Sequence, residues 1–217
     1  SMGWRYDTRD RTPFTTSGLE QTLSLDAAAP GGDVQYFLLD YTASSHRQLG
    51  ERWTATLRGR VGFGAAYGSK TTSLPPYLNF FAGGPGTVRG YRADSLGPLD
   101  SLGHPYGGNL LLAGSFDLMT PWPEKWRDRV RVGFFVDVGN VFSTEGVVFR
   151  NGAGQPLDYS FDPSQLRLSA GVAVRVLIPL GELQLSYGVP LNADVSGAGP
   201  YPPDQIDRFQ IAFGVDY

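Results

Sequence analysis

Arg52-Trp53-Thr54-Ala55-Thr56-Leu57-Arg58-Gly59-Arg60-Val61-Gly62-Phe63-Gly64-Ala65-Ala66-Tyr67 alternates along its length. Trp53, Ala55, Leu57, Val61, Phe63, Ala65 and Tyr67 share one face, and Arg52, Thr54, Thr56, Arg58 and Arg60 share the other. A period of two marks a β-strand whose two faces meet different surroundings. The pattern recurs on both sides of this run. It is read at residues 19–27, 34–44, 109–120, 129–142, 165–178, 183–189 and 209–217. The last of these carries Phe209, Ile211, Phe213, Val215 and Tyr217 against Gln210, Ala212, Gly214 and Asp216. Eight strands are therefore expected, with residues 3–9 as the tail of a ninth.

Several runs reach ten residues or more, beyond the ~5–6 of an ordinary sheet. A tilted membrane-spanning strand needs ~9–11. The links also alternate. Those at 48–50 and 179–181 are tight, whereas 68–108, 143–164 and 192–207 are long. Short turns at one end and long loops at the other are typical of outer-membrane barrels. Trp53, Trp122, Trp126, Tyr187 and Tyr217 are expected near strand ends, as an aromatic girdle. The expected fold class is all-β, an antiparallel transmembrane β-barrel segment.

Composition agrees. Among 217 residues there are 18 Lys plus Arg and 21 Asp plus Glu, a net charge of −3, which argues against nucleic acid as a partner. Cysteine is absent, which excludes disulfide scaffolds, thiolate metal sites and thiol catalysis. No apolar stretch of about 18 residues could form a spanning helix. No secretory leader is recognised, and Ser1-Met2 reads as an expression remnant ahead of residues 3–217.

Chemistry gathers around Phe80-Phe81-Ala82-Gly83-Gly84-Pro85-Gly86-Thr87-Val88-Arg89-Gly90-Tyr91. Taken alone this could be a flexible surface loop. Two inward carboxylates on successive strands, Asp117 and Asp137, change the reading. Facing a lumen, they require a cation. An arginine on a loop folded back inside would offer both a planar fork of donors. Irregular backbone at membrane depth is tolerated where protein or a cavity surrounds it.

These residues resemble the Omp85 superfamily. Val88-Arg89-Gly90-Tyr91 is similar to its loop motif, and Phe135-Val136-Asp137-Val138-Gly139 to its Phe-x-Asp-x-Gly strand motif. Asn79-Phe80-Phe81-Ala82-Gly83-Gly84, Gly107-Gly108-Asn109, Leu118-Met119-Thr120-Pro121 and the aromatic last strand extend the resemblance over residues 3–217. Within the superfamily the chain is most similar to the barrel subunit of the outer-membrane assembly machinery. The translocation-and-assembly branch shares both motifs.

The resemblance implies a sixteen-stranded barrel preceded by periplasmic POTRA domains. This chain would supply the C-terminal half, about eight strands plus the end of one more, without POTRA sequence. Arg89 would bind Asp117 and Asp137 inside the barrel. The strand at 209–217 would form one side of a seam. The implied location is the outer membrane of a Gram-negative bacterium. Implied partners are nascent outer-membrane β-barrel proteins, machinery lipoproteins, POTRA domains and outer-membrane lipid. A passive pore and a soluble barrel for an apolar ligand are the alternatives.

Other residues suggest no catalysis. His46 and His104 fall in expected turns or loops, with no carboxylates spaced for a metal or a triad. No serine has an evident base and orienter. Gly62-Phe63-Gly64 lies within a strand and precedes no helix, unlike a nucleotide fingerprint. Neither an enzyme nor a cofactor is expected. Arg58, Arg60, Arg129, Arg131, Arg167 and Arg175 form an inward basic stripe, read foremost as solvated pore lining and otherwise as an electrostatic brace for the acidic residues and the inserted loop. Eight strands alone could close into a small barrel and expel the Arg89 loop. Two copies could instead join edge to edge. An open half-barrel is disfavoured, because bare edges in lipid are costly.

Overall fold

The computed structural model describes residues 1–68, 71–197 and 200–214. Within them the alternating runs become strands. These are β1 (Met2–Asp7), β2 (Gly18–Ala27), β3 (Tyr36–Leu49), β4 (Trp53–Ala66), β5 (Gly90–Tyr91), β6 (Leu110–Pro121) and β7 (Val130–Phe142). Then follow β8 (Phe149–Arg150), β9 (Pro156–Leu157), β10 (Arg167–Ile178), β11 (Gly181–Pro190), β12 (Ile206–Asp207) and β13 (Phe209–Phe213). Nine form one antiparallel sheet, β1-β2-β3-β4-β6-β7-β10-β11-β13. The short strands pair outside it, β5 with β12 and β8 with β9.

The register separates two environments. On the outer face Leu57 lies opposite Phe116, Phe116 opposite Val136, and Val136 opposite Ala170. One residue along, the inner face carries Thr56, Asp117, Phe135 and Gly171 in the same succession. Burial is the reverse of a soluble sheet. Leu57, Phe134 and Ile211 are about 60% exposed, while Asp117, Asp137, Ser169, Gln184 and Gln210 are all buried. Strands with a bare apolar band and a polar interior suit a lipid surround.

Four expectations are corrected. Residues 3–9 are not merely a strand tail, since Met2–Asp7 pairs with β2 along its whole length. β3 continues to Leu49 and takes His46 into the sheet, where its ring meets the hydroxyls of Ser44 and Thr56. Tyr187 lies inside β11 opposite Val172 and Phe209, whereas Trp53 and the exposed Trp122 and Trp126 do flank strand ends. Tyr217 falls outside the described residues.

The fourth correction concerns closure. Among the described residues β1 and β13 are two separate edges, so the sheet is open. The connection from β4 to β6 lies on the concave face, where an eight-stranded barrel has room only for side chains. The turn from β1 to β2 also crosses that face, and the Phe14 ring stacks 4.9 Å from the Arg131 guanidinium on β7.

Candidate functional site

β6 and β7 each deliver one carboxylate inward, and the connection between β4 and β6 brings Arg89 to both. The Arg89 Nε and Nη2 donate to Asp137 at 2.7 Å each, and Nη1 donates to Asp117 at 3.0 Å. Nη2 also donates to the Ser115 hydroxyl at 3.0 Å, and the Arg89 backbone N–H reaches Asp137 at 2.9 Å. All three charged side chains are at most 2% exposed. A fork of this kind uses the planar donor geometry of arginine, which lysine lacks.

The three residues of the Phe-x-Asp-x-Gly strand motif each touch the loop. Phe135 places its ring 3.6 Å from the Arg89 guanidinium carbon, as a cation–π floor. Asp137 supplies the anion. Gly139 leaves space for Val88, since a Cβ there would come within 3.1 Å of the Val88 side chain and 2.7 Å of the Leu112 carbonyl oxygen. Spaced by two, these side chains share the inward face.

The loop motif is anchored beyond the arginine. Val88 and Tyr91 are fully buried with Ala82, Leu96, Leu111 and Val141. The Tyr91 hydroxyl lies 3.3 Å from the Leu168 carbonyl oxygen. Gly90 has φ +90°, a conformation costly for residues with a Cβ, and its backbone lies against Gly188 of β11. The pair β5–β12 joins Gly90 and Tyr91 to Asp207 and Ile206.

The basic stripe is mostly not solvated lining. Arg58 bonds Asp117, and Arg175 lies 3.7 Å from Asp117 and 3.5 Å from Glu182. Arg60 pairs with Asp40, and Arg167 with Asp204. Arg129 is exposed at the short-turn end. Asp117 is thus approached by three guanidinium groups. Spacing within a strand cannot reveal this, because the partners come from β4, β10 and the loop. Gln210 was likewise visible only as a polar residue of the last strand.

Phe209, Ile211 and Phe213 point outward from β13, each more than half exposed. Val215 and Tyr217 lie outside the described residues. A concave space of about 310 Å³ beneath the loop tip is bordered by Glu20, Asp40, Arg58, Arg60, Thr87 and Gln184.

Comparison with known proteins gives a consistent result. The model of the Omp85 superfamily domain matches residues 1–217. The outer membrane protein assembly factor BamA of Neisseria meningitidis serogroup B is 33% identical over the whole chain. Sorting and assembly machinery component 50 homolog A of Xenopus laevis is 28% identical over 86% of it. The crystal structure of BamA from Haemophilus ducreyi lacking POTRA domains 1–3 superposes with a TM-score of 0.78 at 27% identity, covering 96% of this chain. The chain spans 28% of the length of the Neisseria relative, 40% of the Xenopus one and 40% of the Haemophilus structure.

Proposed function

The chain belongs to the Omp85 superfamily, and from that premise we propose that it is the barrel portion of a factor that folds and inserts β-barrel proteins into the outer membrane. Family and fold locate it in the outer membrane of a Gram-negative bacterium. The observation that carries the reading is the match of the superfamily domain over residues 1–217, on a sheet whose outer face is a bare apolar band and whose terminal strand β13 continues that band. A strand edge offers free N–H and C=O groups that can template an incoming strand. The outward row of Phe209, Ile211 and Phe213 keeps that edge in lipid, where a client strand would arrive.

In this mechanism the protein breaks no covalent bond. A client strand pairs with the seam, further client strands follow, and closure of the client barrel supplies the driving force. The Arg89 lock holds the loop against the wall, so the lumen keeps its shape while the seam works. Nascent outer-membrane proteins are the substrates. POTRA domains and lipoproteins of the complete machinery would deliver them.

The test is reconstitution of the full-length protein into liposomes with an unfolded client barrel. Faster appearance of heat-resistant, protease-protected client than in empty vesicles is expected. Ion conductance with no such acceleration would replace this reading by a passive pore.

A further inference from the structure

Gln210 sits on the inward face of β13, 5% exposed, opposite Ser186 of β11. Its amide grips the lumen loop at two points. Nε2 donates to the Tyr91 carbonyl oxygen at 2.6 Å, and Oε1 accepts the Gly90 N–H at 3.3 Å. The residues leading into β13 continue the contact. Ile206 and Asp207 pair with Tyr91 and Gly90. The Arg92 N–H and its Nη1 both donate to Gln205, each at 2.9 Å. At its other end the same short loop segment is fastened to β6 and β7 through Arg89.

We propose that Gln210 is a positioning residue that couples the terminal strand to the locked loop, so that moving β13 away from β11 either breaks the Gln210 hydrogen bonds or pulls on the segment held by Arg89. Gly90 and Gly188 approach so closely that a Cβ on either would come within about 3 Å of the other's backbone. No side chain lies between them to absorb a displacement. A shift of β13 must therefore break the Gln210 amide bonds or drag residues 90–92. Energetic coupling of this kind is reciprocal. Releasing Arg89 loosens β13, and removing the Gln210 amide loosens the loop.

The side-chain chemistry at this position is specific. A glutamate could accept from Gly90 but could not donate to Tyr91, and would set a carboxylate against a carbonyl oxygen. A leucine would fill similar volume and make neither hydrogen bond to the loop, leaving only the strand pairing of Gly90 with Asp207. The functional consequence rests on the insertion reading given above. The seam strand is presented to a client in a position set by the lock.

The experiment uses the full-length protein in detergent and in liposomes, as wild type, Gln210→Leu, Gln210→Glu, Arg89→Ala and the Arg89→Ala/Gln210→Leu double variant. Amide hydrogen exchange is followed at residues 88–92 and 206–213. Gln210→Leu and Gln210→Glu are each expected to speed exchange at 88–92 about fivefold or more, the scale of one net hydrogen bond. Arg89→Ala is expected to speed exchange at 206–213. In the double variant the effects should be less than additive. Unchanged exchange at 88–92 in both Gln210 variants, or full additivity, would overturn the coupling. Should a Gln210 variant fail to fold, Arg89→Ala read at 206–213 decides alone. Client insertion is scored separately. Coupled exchange without insertion by the wild type would sink the insertion reading and leave the coupling intact.

Discussion

Two arginine–aspartate contacts on the same concave face behave as different objects. Arg89 with Asp117 and Asp137 is at most 2% exposed, whereas Arg60 and Asp40 retain 38% and 24%. Both sets lie among inward polar residues of similar composition. What separates them is the loop itself, which packs over the Arg89 cluster and leaves Arg60 and Asp40 partly exposed beside the space beneath its tip. Covering turns an ion pair into an obligation. Once desolvated, each charge depends on its partners. A pair in contact with water can rehydrate when broken. Alternation of polar and apolar residues shows which residues face inward. It does not show which of those are covered.

The largest effect is expected at the covered site. Arg89→Ala leaves Asp137 without its fork, while Asp117 keeps Arg58 and Arg175. A loss of about 3–5 kcal/mol is expected, as for a broken buried pair. Urea unfolding of the full-length protein in detergent measures it. A loss below about 1 kcal/mol would erase the distinction between the two sites.

Gly188→Ala sharpens the comparison from the wall side. The added methyl would sit 2.8 Å from the Gly90 nitrogen and 3.0 Å from the Arg89 carbonyl carbon. Backbone is hard to displace, so a loss of about 1–3 kcal/mol is expected from overpacking. Trypsin cleavage at Arg92 should rise with it. Unaltered stability and unaltered cleavage would mean that the loop does not bear on β11.

The smallest effect is expected at the open site. Arg60→Ala should change stability by no more than about 1 kcal/mol, and less at high salt. A loss matching that of Arg89→Ala would show that the lumen is far less hydrated than the sheet's concave opening implies.

Much of this molecule was readable residue by residue. The run around Leu57 and Arg58 specified a strand with unlike faces, and Asp117 and Asp137 were legible as inward carboxylates on adjacent strands. Arg89 could be matched to them because two unpaired lumen anions need a cation. Gln210 was not legible as a grip on the loop. Its partners, Gly90 and Tyr91, are about 120 residues away, and glutamine on an inward face is common in any hydrated barrel. For the basic stripe the sequence left solvated lining and an electrostatic brace both open, and favoured the former, for a similar reason. Arg58 and Arg175 come from strands that meet Asp117 only after the sheet curves.

Periodicity is local, so the sequence by itself determined the strands, the face each side chain occupies and the chemistry aimed inward. Tertiary structure alone decided which polar groups are sealed from water and that the loop and terminal strand share hydrogen bonds. Desolvation and cross-strand contact depend on what packs over a residue. In this protein that cover arrives from segments distant along the chain.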